Sequence, residues 1–389
     1  MGRLNKKVIT SLFLNSLLAT FSFVVPKNKN LFIIGAREGN TFAENSKYVY
    51  LYANKRKSNN KFVWITKNKE VLNQLKDKRL PVVFMYSLNG LWHILRANKL
   101  IISSSHNDVS FFRLLPGRFK SIQLWHGSPI KNFPFSSKGI TLPGKLNTFF
   151  LKRQYSKYEF VLHTCEKTRW VLEQCFLTKK IKILGYPRND CLFEPTNFEK
   201  KINLEQYKKI FLYMPTFRDK KSSVQPFSRN GLNKLNKFLK DNDYVLFARK
   251  HFAERNWKLD KSYSNIIDVS SIGDAQELMS KTDVLISDYS GASLDFCLLN
   301  RPIIFYPYDY KEYSSKSRKL SLDYFQDLPG PFAYDENKLL ELIKNSDNWF
   351  ANKKYKTKYN KFVDTFNKFK DANSSRRVYR EILLREFKK

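Results

Sequence analysis

From residue 30 onward, short apolar runs alternate with stretches whose apolar residues recur every three to four positions. Runs of four to six apolar residues suit strands, and strands separated by helical stretches spell βαβ units and parallel sheets. The pattern predicts strands at Leu31–Ala36, Phe62–Thr66, Val82–Tyr86, Leu100–Ser103, Ser121–Trp125, Phe160–Thr164 and Ile181–Leu184. A polar, charged interval from Glu194 to Tyr207 breaks the series, which resumes at Ile210–Met214, Tyr244–Ala248, Ile266–Val269, Val284–Ser287 and Pro302–Tyr306. Two doubly wound α/β halves are therefore expected, facing a cleft where ligands bind beyond the carboxyl ends of the strands. The lysine-rich tail from Asn352 to Lys389 reads as helix, with Tyr359, Phe362, Phe366 and Phe369 spaced to pack across a domain.

The uncharged stretch Val8–Val25 follows Arg3, Lys6 and Lys7 and stops at Pro26. Its Thr and Ser residues and Asn15 make it too polar for a comfortable membrane span, and no clear cleavage site follows it. Ile9, Phe13 and Leu17 share one face and Ser11, Asn15 and Ser22 another, which fits an amphipathic helix lying in a membrane interface. A helix packed on the protein's own surface is the alternative. The resulting divisions are residues 1–27 for this segment, 28–198 and 199–375 for the two halves, and 376–389 for a basic tail.

With 389 residues, 42% of them apolar, and with 33 Phe and 21 Tyr, the chain has material for two packed cores. Its formal charge of +35 attracts polyanions, whether nucleic acid, anionic lipid or an anionic substrate. The four cysteines lie far apart with no CxxC pair or Cys/His cluster, so they read as buried free thiols and no metal site is expected.

Four strand-end motifs carry candidate chemistry. In Trp125-His126-Gly127-Ser128-Pro129 a histidine meets the cleft beside a glycine that permits close backbone approach. In Tyr213–Asp219 (YMPTFRD), Thr216 and Arg218 suit a phosphate, although a surface Arg–Asp pair is as good a reading. Phe247–His251 (FARKH) delivers Arg249, Lys250 and His251, basic groups around an imidazole, to a strand end. The fourth motif runs from Val284 through Ser287-Asp288-Tyr289-Ser290-Gly291-Ala292-Ser293 into a helix carrying Asp295. Backbone N–H groups and serine hydroxyls at a helix start form a pyrophosphate cradle, with ordinary N-capping as the plainer possibility. Asp295 either touches the ligand or caps and packs. Of the other histidines, His93 reads as packed in a helix, His163 lies inside a strand, and His106 stands at a strand end within reach of the acceptor side.

Together with KNLFIIGAREGNTFAENSKYVYLYA near the start, and RPIIFYPYDYKEY and DLPGPF near the end, these motifs resemble the CDP-glycerol glycerophosphotransferases of teichoic acid synthesis. The resemblance spans most of the chain. It implies a GT-B-like fold, no required metal or cofactor, CDP-glycerol as donor, and a polyprenyl-diphosphate-linked acceptor at the cytoplasmic face of a bacterial membrane. It places catalytic roles on His126 and His251, with the serine-rich diphosphate loop at Ser287–Ser293. Gly127, Thr216, Arg218, Lys250, Ser287, Asp288, Ser290, Gly291, Ser293 and Asp295 are the expected substrate-binding positions. Phe252 follows His251 where a proline is expected, and the length favours a primase or a short polymerase. CDP-ribitol or a nucleotide-sugar is the rival donor. Nucleic-acid binding is the rival of another class, although no nucleic-acid motif is present and none is expected as a partner.

Overall fold

The computed structural model describes residues 20–110, 118–131, 144–194, 203–216, 218, 225–250, 260, 262–271, 274–316 and 319–384. Two all-parallel sheets organise them. The first comprises β1 (Asn28–Ile34), β2 (Lys61–Thr66), β3 (Val82–Phe84), β4 (Ala97–Ile102), β5 (Lys120–Gln123), β6 (Tyr158–His163) and β7 (Ile181–Ile183), in the order β3-β2-β1-β4-β5-β6-β7. The second comprises β8 (Lys209–Met214), β9 (Tyr244–Ala248), β10 (Ile266–Asp268), β11 (Val284–Ser287) and β12 (Ile303–Phe305), in the order β10-β9-β8-β11-β12. In each sheet the chain winds from the middle to one edge and then back past its start, which leaves a switch point at β1/β4 and another at β8/β11.

Central strands such as β1, whose Phe32, Ile33 and Ile34 are fully buried, need helices on both faces, and this is why they read as unbroken apolar runs. All twelve expected strands form. Several stop a residue or more early, because their last residues turn into the cleft loops. Beyond Ala36 the chain enters the left-handed region at Arg37 (φ 47°) and Glu38 (φ 56°), and Trp125 (φ 55°) does the same after β5.

The expected single tail helix is instead two. Lys353–Phe366 buries Tyr359, Phe362 and Phe366 in the second core, whereas Ser374–Leu384 returns to the first core with Val378 and Ile382. The return is anchored by Asp190, whose carboxylate accepts the N–H groups of Ser374 (2.9 Å) and Ser375 (2.7 Å).

Most of the N-terminal segment lies outside the described residues. In its last, helical turn Ser22 is buried and accepts the Arg118 N–H at 2.9 Å, while Phe21, Phe23 and Val24 are 55, 62 and 76% exposed. No described helix is long and apolar enough to cross a membrane. Cys165, Cys191 and Cys297 are buried free thiols, and Cys175 is half-buried.

Candidate active site

His126 stands where β5 opens into the cleft. Asn45 holds that opening by donating its side-chain amide to the carbonyls of Leu124 and Trp125, both at 2.9 Å. His126 Nδ1 lies 3.1 Å from the carbonyl oxygen of Ser103, at the end of β4. A carbonyl only accepts, so Nδ1 carries the hydrogen and Nε2 keeps its lone pair. Burial lowers the imidazole pKa to about 4; Glu44 pulls it back up, while Arg37 pushes it further down. The ring is therefore neutral at pH 7, the form a general base requires.

The Ser103 carbonyl is itself fixed. Asp108, fully buried, accepts the N–H groups of Ser103 (2.9 Å), Ser104 (2.7 Å), Ser105 (3.4 Å) and Glu38 (2.7 Å), which ties the loops after β1 and β4 together.

Across the cleft, Arg218 is placed differently from the sequence-based expectation. Nε and Nη2 donate to Asp309 at 2.7 and 3.0 Å, Nη1 to Asp288 at 2.9 Å and to the Thr216 carbonyl at 2.8 Å, and Nη2 also to the Tyr308 hydroxyl at 3.3 Å. All five N–H groups are thereby engaged, and none is left for a phosphate. Asp288 likewise accepts the Thr216 N–H at 2.9 Å and has no exposure. Arg218 and Asp288 thus brace the loops after β8 and β11. Thr216 Oγ1 receives Lys131 Nζ at 3.0 Å from the other half.

The serine loop sits at the β8/β11 switch point. Ser290 and Gly291 are half-buried, the Ser290 hydroxyl accepting the Ala292 N–H at 3.3 Å. Ser293 is buried and donates to the Ser290 carbonyl at 3.1 Å. Ser287 Oγ is buried and has no hydrogen-bond partner among the described residues. Lys250 ion-pairs with Asp268 at 2.5 Å, its side chain 17% exposed. Burial lowers the Arg249 pKa, while Asp274 of its own half and Glu44 of the other pull it back up and Arg37 pushes it further down. His251 and Phe252 lie outside the described residues.

The two halves meet at these loops. A Cβ on Gly291 would come within 2.7 Å of the Ser128 carbonyl oxygen, so the serine loop packs directly on the loop that carries His126. Asp295, expected beside the ligand, is 1% exposed and bonded to Arg188, Asn189 (2.9 Å) and Gln276 (3.3 Å); its oxygens are taken by protein donors. Arg188 also donates Nη1 to Glu44 (2.8 Å) and to the His126 carbonyl (2.6 Å). Glu44, Asn45 and Arg188 were missed as site residues. The Gly185-Tyr-Pro-Arg turn directly after a strand was the available signal.

His106 is buried against Ser121 (2.8 Å) and Gln154 rather than facing an acceptor. His163 is buried in β6, 2.9 Å from the Thr168 hydroxyl, and His93 bonds the Asn89 carbonyl of its own helix at 2.8 Å. Among the described residues no three His, Cys, Asp or Glu side chains converge on a position for a metal ion.

Two parallel sheets with switch points, a serine loop on one and a neutral histidine on the other, give the protein the GT-B-like architecture. Residues 17–384 match the family CDP-Glycerol:Poly(glycerophosphate) glycerophosphotransferase, and the chain belongs to that family. It is 27% identical over 394 residues to the teichoic acid glycerol-phosphate transferase of Staphylococcus aureus, covering 97% of this chain and 99% of that one. It is 30% identical to the teichoic acid poly(glycerol phosphate) polymerase of Staphylococcus epidermidis, covering 84% of this chain but only 47% of that protein's length. Among solved structures it resembles the wall teichoic acid polymerase TagF, with a TM-score of 0.78, 24% identity, and coverage of 98% of this chain and 97% of that one. A TagF variant soaked with CDPG gives a TM-score of 0.77 at 25% identity, covering 97% of this chain and 95% of that one.

Proposed function

We propose that the protein transfers glycerol phosphate from CDP-glycerol to a hydroxyl of a polyprenyl-diphosphate-linked acceptor in the synthesis of teichoic acid or a related wall or capsule polymer. The observation that carries this reading is His126, neutral and fixed through Nδ1 on the Ser103 carbonyl, on a loop packed against the serine loop of the other half. The acceptor hydroxyl attacks the β-phosphorus of CDP-glycerol. A new P–O bond forms, the bond to CMP breaks with its electron pair leaving on CMP, and His126 Nε2 takes the hydroxyl proton. Ser290, Gly291 and the start of the helix after them cradle the diphosphate. Lys250 and His251 offset the charge on the departing CMP, an electrostatic task central to phosphoryl transfer.

The acceptor is a lipid, and the exposed Phe21, Phe23 and Val24 in a chain of formal charge +35 suit an anionic membrane. Peripheral attachment at the cytoplasmic face follows from that reading.

Release of CMP by the purified protein, with and without a lipid-linked disaccharide acceptor, tests the assignment. Acceptor-dependent CMP supports it; no CMP from CDP-glycerol with any acceptor overturns it. A second donor remains in view, because the chain is also 28% identical over 395 residues to the teichoic acid poly(ribitol-phosphate) polymerase of Bacillus spizizenii, covering 98% of this chain and 60% of that one. Turnover of CDP-ribitol in preference to CDP-glycerol would select it.

A further inference from the structure

Arg188 is the one described side chain bonded at once to the His126 loop and to the element behind the serine loop. It lies on the turn Pro187–Leu192 after β7, in the first half, with its side chain 9% exposed. Nη1 donates to the His126 backbone carbonyl at 2.6 Å and to Glu44 Oε2 at 2.8 Å, and Nη2 donates to Asp295 Oδ2, in the helix Ala292–Phe296 of the second half. Its backbone N–H is bonded to Asn45 Oδ1 at 3.1 Å, the same asparagine that holds the Leu124 and Trp125 carbonyls. Gly127 fits this arrangement closely: a Cβ there would stand 3.0 Å from Arg188 Nη2, at a backbone φ of 150°. Neighbouring residues extend the tie, since Asn189 also bonds Asp295 (2.9 Å), and Lys47 reaches Asp274 (3.3 Å) and Glu277 (2.8 Å).

We propose that Arg188 is a positioning residue that locks the two halves in one register, so that the His126 imidazole and the serine loop face the same reacting atoms. The guanidinium is planar and forked, and here it spans three acceptors on two domains; an ammonium gathers its three N–H groups on one nitrogen and does not reach across that spread. Small displacements matter in such a site, because misplacement by about 1 Å costs on the order of a hundredfold in rate. The kinetic part of this proposal rests on the transfer reading above. The structural part does not.

The test separates positioning from mere stability. Arg188→Met alone leaves Asp295 buried without its countercharge and is expected to unfold more easily. Adding Asp295→Asn removes the orphaned charge while keeping an oxygen for Asn189 and leaving an NH2 toward Gln276, whose own amide can turn to accept it, so the thermal midpoint should recover. The double variant is expected to keep its KM for CDP-glycerol within about threefold while kcat stays down on the order of a hundredfold. Its radius of gyration in solution scattering should exceed that of the wild-type protein. Turnover that returns with the thermal midpoint to within threefold of wild type, or an unchanged radius of gyration, overturns the proposal. Should the wild-type protein turn over no donor, the transfer reading fails by itself and scattering alone decides the tie.

Discussion

Arg218 offers the sharpest test of how the site is built, because the sequence reading and the structure give it different tasks. A phosphate-binding arginine would stand partly exposed with donors to spare. Here its side chain is 9% exposed between Asp288 and Asp309, which have 0 and 4% exposure. Replacement by Met leaves two buried carboxylates without a cation. Thr216 N–H and the Tyr289 hydroxyl (3.1 Å from Asp309) still donate, but they are neutral. Breaking a buried ion pair from one side costs ~3–5 kcal/mol, a large share of the ~5–15 kcal/mol that holds a domain together. For a half of this size the thermal midpoint should fall by ~6–20 °C. Arg218→Lys should lose less, since an ammonium keeps the charge but has three N–H groups where the guanidinium uses five. Calorimetry of the variants, paired with CMP-release kinetics, measures both quantities. If Arg218→Met melts within about 2 °C of wild type (less than ~1 kcal/mol) while its KM for CDP-glycerol rises tenfold, the bracing role is wrong and the arginine binds donor.

Replacing His126 by Ala should lower kcat ~10²–10⁴-fold without changing fold, as read by CMP release and circular dichroism; wild-type turnover would remove it from the chemistry. The acid limb of kcat/KM should lie near pH 4, where burial has placed this imidazole, so a limb at 6.5 would contradict its environment. In stability, His106, His126 and His163 have folded pKa values lowered by burial to about 3, 4 and 3, so their contribution is complete above ~6.5 and is lost as pH falls. Asp108 and Asp190, raised by burial to about 6, act oppositely, stabilising at low pH and losing this as pH rises through 6. Near pH 5 the three histidines outweigh the two carboxylates, so urea unfolding should show stability falling on acidification there; a rise would refute the assignment. Phe21→Ser with Phe23→Ser should weaken flotation with anionic vesicles at least ~10-fold by removing exposed apolar area, and unchanged flotation would discard this segment as a membrane contact.

Much of the architecture was legible in the order of residues. Strands buried on both faces must be continuously apolar, and parallel strands must be separated by helices, so β1 to β12 could be placed from local pattern alone. The loops at strand ends were visible for the same reason: His126, Thr216 and Ser287–Ser293 each follow an apolar run directly.

What each loop residue touches was not legible, because those contacts join positions far apart in sequence. Arg218 meets Asp309 and Arg188 meets Asp295 across separations of 91 and 107 residues, and a guanidinium offers the same donors to a carboxylate as to a phosphate. The fold of the second half turns Arg218 inward to protein partners, and the packing of the two halves does the same for Asp295, brings the Gly185–Asp190 turn to the site, and returns the last helix to the first core. Periodicity reports which face of an element is buried. The neighbour it is buried against is decided by the tertiary structure.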